Sequence, residues 1–504
     1  MSARSLVQEG RKLASAGQSQ AALARFQTAV SQRAGFAPAL LGAAEVHLSV
    51  GQTQEARRIL RTIDTWTEDG DALAKAADHL LQLRCEVEAE QATTRALNAG
   101  CTNKVGVHRV RGEARRILRR LEEALADFER AAAGDDEFAK VRRSTVLREL
   151  GRIDEASLHK PEPKDLRIPA AKAAAWHEKA VQADKSGEAE SAFQSWSEAG
   201  RIESELPAWR RLDRTLWPRH VASWTTWCQE TTTIKEPAPV GKPTPPHFLV
   251  GFSRTGTTLL ERMLSGHSSI GTSREVPLVT TIRQRLLQGQ PPERLPHIVP
   301  DSNSSQAEQL RKLFDNAAKN MVPDTASAPC FIHKQPMNAI DLPMILQLWP
   351  NAVVIRTVRD PRDVVLSCFA QHFAPNGINR HFLSANDAAS MLASVLELNE
   401  AIAARFPKAN IIDVHYESLV KDPEPTLRHI LDRLDLEFEA AVLDPSRDSG
   451  IQNTPSFLEA KKAVHPGRTE RWRTYKEQLR EPCKILDPWI TKGNWPKWDH
   501  EQSL

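Results

Sequence analysis

Apolar positions in this chain follow three rhythms, and each predicts a different kind of element. Over the first 200 residues, rich in Ala, Leu, Arg, Glu and Gln, small and apolar residues return at helical spacing and the pattern itself repeats. Aligning G-x-x-x-x-A-x-x-x-F-x-x-A on Gly17, Ala22, Phe26 and Ala29 places the same small residue at Ala56, Ala89, Ala124, Ala156 and Ala192, at intervals of 34, 33, 35, 32 and 36. Such a period predicts paired antiparallel helices stacked into a solenoid. Small residues, among them Gly10 and Gly112 on the first helix of a pair, let the helices approach. Phe26, Phe128 and Trp196 then fill the gap to the next repeat. Five or six pairs are expected, the last ones degenerate. The second rhythm is the short unbroken apolar run: Phe248 to Val250 and Ala352 to Ile355 read as buried parallel strands. Helical spacing follows each, through Leu259, Leu260, Met263 and Leu264 and through Val364 to Phe369. The third is a Trp-rich helical stretch over residues 204–228, which reads as core packing at a domain junction. Five prolines within residues 235–247 follow it and predict an extended polyproline connection.

The fold class expected is therefore α followed by α/β: an all-α repeat solenoid over residues 1–203, a Trp-rich helix and Pro-rich linker over 204–246, and a domain over 247–504 with a P-loop-like turn and a parallel sheet flanked by helices. Composition agrees, since 504 residues exceed what one core fills, and 40% apolar with 26% charged residues is ordinary for soluble protein. A net charge of +3 is too small for this length to argue for nucleic acid or membrane surfaces. Six scattered cysteines show no metal-ligand spacing and suit a reducing cytoplasm, and no metal is expected. No apolar run approaches eighteen residues and the N-terminal segment is too polar for a signal peptide, so the expectation is a cytoplasmic protein without a membrane span.

Chemistry concentrates in 248-FLVGFSRTGTTLLERML-264. Gly251 and Gly256 let the backbone curl inward, the N–H groups of Gly256, Thr257 and Thr258 converge, and the helix dipole adds positive charge, which together describe an anion site. A nucleoside-triphosphate loop of the G-x-x-x-x-G-K-[ST] type would put Lys where Thr257 stands. Here the cation is Arg254, before the second glycine, which suits a phosphate without a metal-bound triphosphate tail. In 351-NAVVIRTVRDPRDVVLSCF-369, Arg359 lies just past a strand's carboxyl end, where open α/β sheets bind ligands, and Ser367 follows eight residues later on a helix. A guanidinium fork and a hydroxyl suit a second phosphate.

The two segments in this order resemble the sulfotransferase family that uses 3′-phosphoadenosine 5′-phosphosulfate (PAPS). The resemblance implies that Arg254, Thr255, Gly256, Thr257 and Thr258 take the 5′-phosphosulfate and that Arg359 and Ser367 take the 3′-phosphate. It extends from about Phe248 to Tyr475 through the K-x-P-x-N stretch at Lys334, the Y-E-x-L-x-x-x-P stretch at Tyr416, and a closing basic segment over residues 454–475. Tyr416 would then lie against adenine, and Arg468 and Arg471 would be further cations for the nucleotide. Within the family, R-T-G-T-T-L-L-E-R-M-L-S-G-H-S followed by S-R-E-V-P is similar to tyrosylprotein sulfotransferases and to bacterial sulfotransferases with tetratricopeptide repeats. An acidic base one helix beyond the loop corresponds here to Glu275, while the acidic pair of the tyrosylprotein enzymes is replaced by Arg274-Glu275.

Sulfuryl transfer to a hydroxyl needs a base for the acceptor proton and cations where charge grows on the leaving phosphate. Glu275 is the candidate base, Lys334 and Arg254 the candidate cations, and His372 a competing base. The acceptor is a hydroxyl (or amine) carried by a metabolite, lipid precursor, sugar or peptide. The repeat array can hold a peptide or protein acceptor, form a homodimer, or only carry the catalytic domain. Acceptor loops are expected at 276–296 and 372–387. Two other classes stay open: a repeat scaffold with an inactive sulfotransferase-like domain, and a P-loop kinase, which the missing Lys disfavours.

Overall fold

The computed structural model describes residues 1–50, 52–230, 239, 241–444, 469–493 and 495. The chain divides into two compact units, residues 1–178 and 179–504. The helices α1 (Ala3–Ser15), α2 (Ser19–Gln32), α3 (Ala37–Ser49), α4 (Thr53–Trp66), α5 (Gly70–Gln82), α6 (Glu86–Asn98), α7 (Lys104–Ile117), α8 (Leu121–Ala133), α9 (Glu137–Glu149) and α10 (Ile153–Leu158) form consecutive pairs in the first unit. A longer pair follows, α11 (Pro169–Lys185) and α12 (Ala189–Glu205). The boundary between the units falls inside α11. Ala22, Ala56, Ala89, Ala124, Ala156 and Ala192 each lie on the second helix of a pair, all of them buried. Degeneracy is clearest in the fifth pair, where α10 spans only six residues and Pro161 and Pro163 follow. Proline lacks the N–H a helix interior requires.

Phe26 shows why the small residues are needed. A Cβ added at Gly10 or Gly42 would lie 2.7 or 2.5 Å from ring carbons of this buried phenylalanine, and at Gly112 it would lie 2.9 Å from the Phe128 ring. Gly42→Ala gains about 1 kcal/mol of helix propensity, yet overpacking a buried ring costs about 1–3 kcal/mol. A net loss on the order of 1 kcal/mol is expected, read as a lower urea midpoint; an unchanged or raised midpoint would contradict this packing.

The second unit is built on five parallel strands, β1 (His247–Gly251), β2 (Ile270–Thr272), β3 (Cys330–Lys334), β4 (Val354–Val358) and β5 (Ile411–His415), in the order β2-β3-β1-β4-β5. Phe248 and Val250 face one hydrophobic layer and Leu249 the other, with Val354 on the first side and Ile332 and Ile355 on the second. Cover on both faces explains the unbroken apolar runs. The expected class of paired helices followed by a parallel sheet flanked by helices is what the chain forms. After β1 the chain builds β2 and β3 on one side, then β4 and β5 on the other, so the order reverses at β1. Its carboxyl end is thus a topological switch point, the usual ligand crevice of open α/β sheets.

The Trp-rich stretch expected over 204–228 divides into the end of α12, a short helix Pro207–Arg210 and the helix Leu216–Gln229, whose Trp224 and Trp227 lie in the core, Trp227 stacked at 6.2 Å on Phe406. On the same helix, buried His220 meets Asp341 (Nε2 to Oδ1, 2.7 Å), and Arg283 Nη1 lies 2.5 Å from Asp341 Oδ2. Burial opposes the Asp341 charge, but Arg283 and His220 outweigh it and hold the carboxyl well below the usual carboxylate range. A depressed carboxylate contributes stability that is present above its unfolded pKa of about 3.9 and lost as pH falls through the lower folded value. Stability of the second unit should therefore fall below about pH 4, and Asp341→Asn should reduce that dependence; acid titrations of the melting temperature with equal slopes would contradict it. Of the expected Pro-rich connection over 235–247, residues 235–238 and 240 lie outside the described residues. Among the described residues no helix is long and apolar enough to cross a membrane.

Candidate functional site

Residues 252–256 join β1 to the helix Thr257–Leu264. Arg254 and Gly256 take left-handed backbone conformations, φ +71° and +102°, which turn the chain sharply into the helix. At Gly256 the need for glycine is double, because a Cβ there would also lie 2.5 Å from Cδ2 of Tyr416. Thr255 turns inward, its Oγ1 donating to Phe252 O at 2.7 Å and lying 2.6 Å from Thr357 Oγ1 on β4. Thr257 and Thr258, both buried, open the helix, and no side chain caps its start. The first N–H groups of a helix have no intrahelical acceptor, so this turn presents donors and the positive dipole end at the switch point.

The second motif sits directly on the first. Arg359, past the end of β4, donates from Nη1 to the Arg254 carbonyl at 3.0 Å, and its guanidinium lies 4.5 Å from the centre of the Tyr416 ring. Ser367, on the helix Pro361–Phe369, accepts from Arg254 Nε at 2.9 Å. Arg254, Gly256, Arg359, Ser367 and Tyr416 thus form one cluster, although Arg254 and Ser367 are 113 positions apart. Tyr416 is buried in it, wedged between the glycine and Arg359. Buried Asp363 lies 3.7 Å from Arg359 and accepts the Trp472 N–H at 2.8 Å. Burial pushes its carboxyl up to about 6, against the opposing pull of Arg359. Arg471, beside Trp472, pairs with Asp184 at 2.6 Å, where Tyr475 also donates, so its charge is already engaged. Arg468 lies outside the described residues, as does most of the closing basic segment.

A second cluster forms where β3 ends beside β1. Lys334, paired in register with Leu249, is fully buried; its Nζ lies 3.0 Å from Glu261 Oε2 and hydrogen-bonds Glu275. Glu275 N–H donates to the Lys334 carbonyl at 3.0 Å, and Arg274 N–H donates to Glu261 Oε1 at 3.2 Å. Arg274 and Glu275 are both left-handed, φ +52° and +63°, a strained pair held by these bonds. Burial works against the Lys334 charge, but Glu261 and Glu275 outweigh it and keep its pKa above the ordinary lysine value. Burial raises the Glu261 pKa, with Lys334 opposing. Below the cluster, burial and then Lys334 push His333 down to about 3, so it is neutral, held between Ser273 at 2.7 Å and Asn338 at 3.0 Å.

Glu261 escaped the sequence reading. Its signal was an acid inside the run L-L-E-R-M-L, in a helix whose eight residues are all buried, where a carboxylate must have a partner. His372 joins neither cluster through the bonds just described; its Nε2 pairs with Glu203 Oε1 at 3.0 Å. Of the two expected acceptor loops, residues 380 and 383–387 line a cavity of about 470 Å³ together with Phe369, two residues beyond Ser367.

Residues 245–440 match the family model described as sulfotransferase family, and residues 13–82 match a tetratricopeptide repeat model. A protein of Aquifex aeolicus is 27% identical over 264 residues, covering 51% of this chain and 34% of that protein. A putative protein-tyrosine sulfotransferase of Caenorhabditis briggsae is 28% identical over 206 residues, covering 39% of this chain and 67% of its own length. The match thus spans about a third of the first relative and two thirds of the second. Among solved structures, the sulfotransferase domain of the curacin biosynthetic pathway is 19% identical, with 51% of this chain and 99% of that one covered and a TM-score of 0.36. The resemblance read from the two phosphate motifs and from the repeats is therefore matched by both family models.

Proposed function

We propose that this protein is a sulfotransferase that moves the sulfuryl group of PAPS to an acceptor hydroxyl. The observation that carries the reading is the Arg254–Ser367 bond, which joins the loop suited to the 5′-phosphosulfate to the residues suited to the 3′-phosphate. In this reading Arg254, Thr255, Gly256, Thr257 and Thr258 hold the phosphosulfate, and Arg359 and Ser367 the 3′-phosphate. Tyr416, which lies beside Gly256 and under Arg359, is placed in this reading against the adenine. Arg471 contributes through the Asp184 and Trp472 contacts beside the second motif.

The chemistry needs one base and nearby cations. Glu275 takes the proton as the acceptor oxygen forms its bond to sulfur. The bond between sulfur and the bridging oxygen breaks, and 3′-phosphoadenosine 5′-phosphate leaves with the electron pair. Lys334 and Arg254 stabilise charge on the bridging and departing oxygens, in a site where burial strengthens each interaction. Glu275 is the better placed of the two candidates, because it stands beside Lys334 at the end of β3, whereas His372 pairs with Glu203.

The acceptor is a hydroxyl-bearing molecule, and the tetratricopeptide pairs supply a surface suited to a peptide or protein that carries it. The test is incubation with sulfur-labelled PAPS and a panel of phenolic, sugar and peptide acceptors. Label transferred to at least one class, and lost in Lys334→Ala, is the expected result; no transfer and no donor consumption with any class would overturn the reading.

A further inference from the structure

Lys334 is held by two carboxylates of unequal exposure. The Glu261 side chain has 0% of its surface exposed, as has Lys334, whereas the Glu275 side chain has 26%. Of the two acids, only Glu275 reaches the surface. Glu261 does not, yet it bonds the ammonium of Lys334 and, through its other oxygen, the backbone N–H of Arg274, which immediately precedes Glu275 in the strained left-handed pair. One buried acid therefore sets both the cation and the backbone that carries the base. It also stands on the helix that begins at the phosphate loop, so its contacts link that helix to the lysine and to the backbone beside the base.

We infer that Glu261 is a positioning residue for the transfer: it remains the counter-charge of Lys334 while Glu275 releases the ammonium to take the acceptor proton. The inference rests on the sulfotransferase reading of this site. Without a second acid, the buried ammonium would depend on Glu275 alone, and releasing it would strand a lysine charge in a desolvated place. With Glu261 in place, the base is freed while the cation stays charged and aimed. The lysine's direction agrees with this division, since the two acids together hold it above its ordinary pKa, and on Glu261 the same ion pair opposes the upward push of burial.

The test reads Lys334 itself and needs neither donor nor acceptor. In protein labelled with carbon-13 at lysine Cε, the Lys334 resonance, identified by its loss in Lys334→Arg, is followed against pH in wild type, Glu261→Gln and Glu261→Asp. Glu261→Gln keeps the shape and an acceptor for the Arg274 N–H but removes the charge. Its Lys334 midpoint should fall by about one pH unit or more, and turnover with PAPS about tenfold or more, with the donor KM within about threefold. Glu261→Asp, which keeps the charge, should hold the lysine midpoint within about half a unit and recover part of the turnover.

An unchanged lysine midpoint in a folded Glu261→Gln would overturn the inference. So would a variant that loses only thermal stability while its turnover and pH profile match wild type. If Glu261→Gln does not fold, Glu261→Asp decides alone: its displaced carboxylate should lower turnover about threefold or more at unchanged donor KM, and full turnover would overturn the assignment. A lysine shift in a protein that transfers no sulfuryl group would support the coupling and overturn the reading of the site instead.

Discussion

Glu275→Gln should lower turnover by about 10²- to 10⁴-fold, the range in which positioned general bases act. The amide matches the carboxylate in shape and can still accept a hydrogen bond from Lys334, so the geometry of the β3 end is retained. What it cannot do is take a proton from an acceptor oxygen that is becoming a sulfate ester. Binding of 3′-phosphoadenosine 5′-phosphate should stay within about threefold of wild type, because the contacts proposed for the nucleotide belong to the Arg254–Arg359–Ser367 cluster. Single-turnover measurements with labelled PAPS, beside calorimetry of the product nucleotide, separate the two quantities. Full turnover would transfer the base role elsewhere, with His372 the first residue to examine.

The second large effect belongs to Arg359. Its guanidinium lies over Tyr416 and anchors the Arg254 carbonyl. Hydrogen bonds to charged groups contribute about 1.5–3 kcal/mol each, and a fork can make two to one phosphate. Arg359→Ala should therefore weaken 3′-phosphoadenosine 5′-phosphate by about 10²-fold or more while changing adenosine diphosphate, which lacks the 3′-phosphate, far less. Arg359→Lys keeps the charge but not the fork and should fall between them. Equal losses for the two nucleotides would mean that Arg359 supports the loop without recognising a 3′-phosphate.

Several parts of this architecture were legible in the residues because burial forces a choice there. The alanines from Ala22 to Ala192 recur because only a small residue fits where two helices cross, and the Gly10–Phe26 and Gly112–Phe128 approaches have the same cause. Phe248–Val250 falls within β1, and Ala352–Ile355 overlaps only the first two residues of β4; both runs are apolar because both faces of the sheet are covered. Local sequence carries no such signal for Tyr416 against Gly256 or Arg471 with Asp184, whose partners are brought together only by the tertiary fold. The same holds for Glu261. A single glutamate on a helix is ordinarily solvated, and its role emerges only when Lys334 arrives from β3. Lys334 and Glu275 stood out as residue types, whereas Glu261, which bonds Lys334 and the Arg274 N–H, did not.

The most direct measurement is calorimetric titration of the wild-type protein with 3′-phosphoadenosine 5′-phosphate beside adenosine diphosphate. The two Arg-bearing motifs joined at Ser367 predict tighter binding of the 3′-phosphorylated nucleotide by about 10²-fold or more. Equal affinities, or no binding of either, would contradict the claim that these motifs form a PAPS site.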